Sequence, residues 1–125
     1  MTNIGFIGIG LMGLPMAKNI LKSGYKLIAY NRSKEKLELL KNSDAQIASS
    51  IGYLVSNSEV IITMLTDDRA VDEVLGAKEF VNNLKTGSTV IDMSSIKPTT
   101  ATKHYNNLKL KKIHFLDAPV SGGTV

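Results

Sequence analysis

The sequence predicts an α/β fold: a doubly wound, mostly parallel sheet with strand order 3-2-1-4-5-6. Three observations predict it. Short apolar runs alternate with helix-like segments along all 125 residues. The strongest of those runs are continuously hydrophobic, the mark of strands buried on both faces, as in parallel sheets. The first run also ends in glycines at positions 8, 10 and 13, the spacing of a strand that turns sharply into a helix.

Each element has its own reason. Asn3 to Gly8 reads as the first strand, and a helix follows from Leu11 to about Ser23. Pro15 falls in its first turns, where a missing N–H costs little, and Gly24 is placed to cap its end. Lys26 to Asn31 is a second strand, parallel to the first because a helix connects them. A helix over Lys34 to Lys41 leads to a short third strand, Ala45 to Ala48, and Ser49 or Ser50 opens a helical turn to about Asn57. Val60 to Leu65 is β-branched and apolar, as expected at a sheet centre. Asp67 or Asp68 caps a helix through Leu75, with Val71, Val74 and Leu75 on one face. A short helix over Ala77 to Leu84, a strand over Thr89 to Met93, a helix from Pro98 to Leu108 and a last strand over Ile113 to Asp117 complete the alternation. No repeat, low-complexity tract or linker interrupts it, so one domain is expected over residues 1–125.

Composition narrows the function classes. The chain is 43% hydrophobic and 21% charged, enough apolar content for a real core. With no cysteine, a disulfide framework and a thiolate metal site are excluded, and no metal is expected. No run approaches the roughly 18 apolar residues of a membrane span. The N-terminus lacks a basic region, and its apolar stretch is broken by the three glycines, so a cytoplasmic location is expected, with no membrane partner. The net charge of +4 reads as a solvated surface with spare lysines, or as attraction for an anionic ligand. The lysines are scattered and not interleaved with aromatics, which argues against nucleic acid.

The glycine turn is the first candidate site. In the pattern Gly8-Ile9-Gly10-Leu11-Met12-Gly13, the first glycine permits the turn, the second lets backbone approach a phosphate, and the third lets the helix sit close to the strand. The helix start then faces the anion with free N–H groups and its positive dipole end. At the end of the second strand, NAD-specific folds usually carry a carboxylate for the ribose 2′-hydroxyl. Here Asn31, Arg32, Ser33 and, one turn on, Lys36 stand instead. Arg32 suits a 2′-phosphate, Ser33 offers a hydroxyl and Lys36 adds charge, so NADP is the preferred cofactor and NAD the second candidate. A capping role for Ser33 is compatible with this. Ligands of such sheets bind outside the carboxyl ends of the strands. That brings in Met64, Leu65 and Thr66 as cofactor contacts, with Met64 equally readable as the end of a core strand. It also brings in Ser94 and Ser95, as ribose or amide contacts or as a cap for the helix at Pro98. Ser121, Gly122 and Gly123 form either an anion-binding nest or a plain terminal loop.

These segments together resemble the N-terminal domain of the β-hydroxyacid dehydrogenases, the group of 3-hydroxyisobutyrate dehydrogenase and 6-phosphogluconate dehydrogenase. Four motifs carry the resemblance: Gly5 to Ala17, Ile62 to Leu65, Ile91 to Pro98, and Asp117 to Gly123. Thr66 departs from a frequent proline and Ser95 from a threonine. The resemblance implies a Rossmann dinucleotide domain of an oxidoreductase that moves a hydride between a nicotinamide cofactor and a small hydroxy acid or semialdehyde. It implies that Ser121, Gly122 and Gly123 hold the substrate carboxylate, and that Leu65, Thr66 and Ser95 contact the cofactor. In the family, the acid–base lysine lies in a helix beyond position 125, leading into a helical domain through which dimers form. None of the lysines present matches it. The chain alone is therefore expected to bind cofactor without turnover, and the full protein to be a homo-oligomer. A stand-alone NADP-binding or sensing module and an imine reductase-like enzyme are the alternatives.

Overall fold

The computed structural model describes residues 2–10 and 12–120. Its strands are β1 (Asn3–Ile7), β2 (Lys26–Tyr30), β3 (Gln46–Ile47), β4 (Val60–Thr63), β5 (Thr89–Asp92) and β6 (His114–Asp117). They form a single sheet in the order β3-β2-β1-β4-β5-β6, with every neighbouring pair parallel. The predicted architecture is thus the observed one. The helices are α1 (Gly13–Lys22), α2 (Lys34–Leu37), α3 (Ile51–Ser56), α4 (Asp68–Leu75), α5 (Lys78–Asn83) and α6 (Pro98–Lys109).

Two apolar clusters sandwich the sheet. On one face Ile4 and Phe6 of β1 and Leu27 and Ala29 of β2 pack with Ala17 of α1 and Leu37 of α2. On the other, Ile7, Ile28, Ile61, Val90 and Phe115 meet Leu54 and Val55 of α3, Val71 and Leu75 of α4, Phe80 of α5 and Leu108 of α6. Alternation of side chains along each strand produces this division, since successive residues point to opposite faces.

Local chemistry sets the element ends. Asp67 caps α4 by accepting from the Ala70 N–H at 2.8 Å, and Ser50 caps α3 through the Tyr53 N–H at 3.1 Å. Gly24, with φ +93°, follows α1 and donates its N–H back to Leu21. Three expectations need correction. The helix expected over Lys34 to Lys41 is four residues of α2 followed by a 3-10 turn over Glu38–Leu40, and Ser33 precedes it without a side-chain capping bond. The first helix begins at Gly13, with Met12 as its cap residue, two residues later than expected; Leu11 itself lies outside the described residues. Strands β1, β2, β4 and β5 stop one or two residues early, although the N–H groups of Gly8, Met64 and Met93, just beyond β1, β4 and β5, still donate to the neighbouring strands.

Candidate functional site

The carboxyl ends of β1, β2 and β4 open on a cavity of about 480 Å³. Its floor is the glycine turn, with Ile7, Gly8, Ile9 and Gly10. One wall is Tyr30, Asn31, Arg32 and Lys36, and the other is Met64, Leu65 and Thr66 with Ala70, Glu73 and Val74 of α4; Ile51 of α3 also lines it. The cavity lies between the two mononucleotide halves, where strand order switches from β1 to β4.

The glycines behave as their spacing predicts. Gly8 has φ +105°, and a Cβ there would collide with the Met64 carbonyl. A Cβ on Gly13 would collide with the Gly8 carbonyl, so α1 starts in direct contact with the end of β1. Gly10 is open on its cavity side, where the nearest atom to a built Cβ is the Lys36 ammonium at 4.0 Å. A positive charge therefore stands over the barest backbone of the turn.

Asn31 fixes the glycine turn and the loop after β2 to one another. Its Oδ1 accepts from the Ile9 N–H at 2.8 Å, and its Nδ2 donates to the Ser33 carbonyl at 2.8 Å. Both ends of this amide are engaged within the protein, so the charged groups that this wall presents to the cavity are Arg32 and Lys36. The Arg32 guanidinium reaches out to Glu73 across the cavity, with Nη2 3.8 Å from Oε2.

A second device holds the Met64–Leu65 loop. The Asp92 carboxylate is fully buried, and its Oδ1 accepts from the Thr63 hydroxyl at 2.7 Å and the Ser94 hydroxyl at 2.8 Å. Ser94 Oγ in turn accepts from the Leu65 N–H at 2.8 Å. Ser94 is thereby a brace between β5 and the loop after β4, and its hydroxyl is committed. Asp92 Oδ2 has no partner among the described residues. Asp92 and Asp117 are register partners on β5 and β6. The desolvation that Asp117 has, and then the Asp92 carboxylate, push the Asp117 carboxyl up from its ordinary value, although the side chain stays largely exposed.

Of the residues singled out in the sequence, Gly8, Ile9, Gly10, Asn31, Arg32, Lys36, Met64, Leu65 and Thr66 converge on the cavity. Met12, Gly13, Ser33 and Ser95 do not line it. Leu11, Ser121, Gly122 and Gly123 lie outside the described residues. The α4 residues Ala70, Glu73 and Val74 escaped the sequence reading. Their i, i+3, i+4 spacing puts them along one side of α4; Val74 packs against the core as expected and also lines the cavity, and nothing local in the sequence says that this side meets one. His104 is buried and bonded to Asp72 at 2.7 Å, whereas His114 is exposed. Among the described residues no group of three metal-ligating side chains occurs, and no helix is long and apolar enough to cross a membrane.

The glycine cradle, the strand-order switch and the two cations make this a nucleotide-type site, and comparison with known proteins bears directly on it. Residues 3–125 match the NAD binding domain of 6-phosphogluconate dehydrogenase. The chain belongs to this family. Mouse mitochondrial 3-hydroxyisobutyrate dehydrogenase is 40% identical over 98% of the chain and 37% of its own length. The structure of Mycobacterium tuberculosis 3-hydroxyisobutyrate dehydrogenase with L-serine superposes with a TM-score of 0.92 at 28% identity, over 98% of this chain and 42% of that one. An imine reductase from Myxococcus stipitatus in complex with NADP+ gives a TM-score of 0.85 at 27% identity, over 90% and 39%. The chain thus spans less than half the length of these relatives. Its family is that of NAD(P)-binding domains of oxidoreductases.

The cavity fits such a cofactor on its own chemistry. Ile51, Leu65 and Val74 would offer apolar surface to an aromatic base, the glycine turn leaves room for backbone to approach a phosphate, and Arg32 and Lys36 would supply the countercharge.

Proposed function

We propose that this chain is the NADP-binding domain of an oxidoreductase that moves a hydride between the nicotinamide and a small 3-hydroxy acid or semialdehyde. The observation that carries the reading is the placement of Arg32 and Lys36, with no carboxylate at the end of β2, on one wall of the cavity floored by Gly8 to Gly10. The turn from Gly8 to Gly13, with Ile9, Leu11 and Met12, cradles the pyrophosphate. Arg32, Ser33 and Lys36 take the 2′-phosphate, with Asn31 holding their loop. Met64, Leu65 and Thr66 pass beneath the adenosine side or the nicotinamide ribose, Ser95 contacts the cofactor at its nicotinamide end, and Ser121, Gly122 and Gly123 hold the substrate carboxylate. The cofactor supplies the hydride; this chain binds and orients it.

In this reading a further helical domain of the whole protein provides the acid–base lysine and the oligomer contacts, so the chain alone binds without turnover. Similarity to an imine reductase supports a second reading of the substrate, in which a C=N bond is reduced and another residue replaces the lysine. Calorimetric titration of the 125-residue chain with NADPH and NADH tests the cofactor assignment. NADPH is expected to bind more tightly; equal affinities or a preference for NADH would remove the role given to Arg32. Assay of the whole protein with 3-hydroxyisobutyrate and with a cyclic imine separates the two substrate classes.

A further inference from the structure

We propose that Glu73 is a selectivity-determining residue that tempers the preference for NADP by competing with the 2′-phosphate for Arg32; this rests on the cofactor reading above. Glu73 stands on α4 and lines the same cavity as Arg32 and Lys36, from the opposite wall. Its Oε2 lies 3.8 Å from Arg32 Nη2, while its Oε1 accepts from Arg69 Nε at 3.2 Å. Arg69 precedes Glu73 by one helical turn and biases the carboxylate toward its place. Arg32 is otherwise open, its side chain 93% exposed, so the carboxylate across the cavity is its ionic partner among the described residues.

Two consequences follow for two cofactors. A 2′-phosphate arriving at Arg32 must displace the Glu73 carboxylate and bear its repulsion. A ribose with a free 2′-hydroxyl leaves the Arg32–Glu73 pair in place, bridging the loop after β2 to α4 across the cavity mouth. Glu73 therefore acts against NADPH and is close to neutral toward NADH, which brings the two affinities together. The pair is solvent-exposed, so the effect is a tuning one.

The test is a thermodynamic cycle on the 125-residue chain, with NADPH and NADH titrated calorimetrically into wild type, Glu73→Gln, Arg32→Ala and the double variant. Glu73 is half exposed, and glutamine keeps its shape, so circular dichroism should be unchanged. Glu73→Gln should tighten NADPH about threefold to fivefold and shift NADH by less than about 1.5-fold. In the Arg32→Ala background the same substitution should tighten NADPH by clearly less, since only the direct repulsion between carboxylate and phosphate is left to remove. Equal shifts for both cofactors, weaker NADPH binding, or an effect of undiminished size without Arg32 would each overturn the competition. Wild type that binds neither cofactor takes down the cofactor reading and this inference together. Wild type that binds both, with a ratio unmoved by Glu73→Gln, takes down the inference alone.

Discussion

Gly8 and Gly24 share a left-handed backbone, with φ +105° and +93°, yet they differ in what surrounds them. A Cβ on Gly24 would meet nothing within 4 Å, whereas one on Gly8 would strike the Met64 carbonyl. Gly24→Ala should therefore cost only the conformational penalty, about 1 kcal/mol. Gly8→Ala adds a forced shift of backbone at the cavity floor and should cost about 3 kcal/mol or more. Urea denaturation of the two variants checks this, and equal losses would mean that the turn yields without strain. The glycine pattern was readable because each position answers a local backbone demand. The role of Asn31 was not, since the sequence offers no way to see that its amide spans from Ile9 to Ser33. Asn31→Ala should cost about 1 kcal/mol through the lost bond to the Ile9 N–H. It should also weaken NADPH and NADH alike, because it loosens the floor common to both. Selective loss of NADPH would instead give Asn31 a direct part in reading the 2′-phosphate.

At the scale of elements, α4 and α6 are joined by two aspartates one helical turn apart. Asp68 accepts from the Lys97 N–H at 2.9 Å and the Thr100 hydroxyl at 2.6 Å, so it caps α6, whose own cap residue is a lysine. Asp72 accepts from Lys103 and from buried His104. The Thr100 hydroxyl, then the Lys97 N–H, hold the Asp68 carboxyl below its ordinary value. The bonds from Lys103, then His104, do the same for Asp72. A lowered folded-state value means that the contribution is fully present above the unfolded-state value, near about 3.9, and is lost as pH falls through the folded one. Stability should therefore drop from about pH 5 downward, and the Asp68→Asn, Asp72→Asn variant should show a shallower fall from a lower plateau. An unchanged acid slope in urea titrations across that range would rule the clamp out. The cap on α4 was legible as Asp67 or Asp68, because capping is local in sequence. The partition of labour, with Asp67 on its own helix and Asp68 on a helix about 30 residues on, depends on packing that no local pattern encodes. The same holds for Asp92: a lone acid ending an apolar strand was visible, but its partners Thr63 and Ser94 meet it only in the folded sheet.

For the whole molecule, strand order and direction were readable because strands alternate with helices, and a parallel crossover leaves few topologies. What the pattern does not reveal is how completely each face of the sheet is covered. Helices α3 to α6 close the face of Val90 and Phe115. The other face is covered over β1 and β2 by α1 and α2, but along β6 Leu116 is 55% exposed and His114 stands open beside it. Relatives of more than twice this length share the fold of this domain. Under the proposal that a further domain completes the protein, Leu116 lies where that domain would pack. Leu116→Lys should then change the stability of the 125-residue chain by less than about 0.5 kcal/mol, as for an exposed position. In the whole protein the same substitution would bury an unpaired ammonium and should cost several kcal/mol, with loss of the oligomer. Denaturation of both forms and sedimentation of the longer one decide the matter. A large loss in the short chain would mean that Leu116 is already covered there. A negligible loss in both would place the domain contact elsewhere on the sheet.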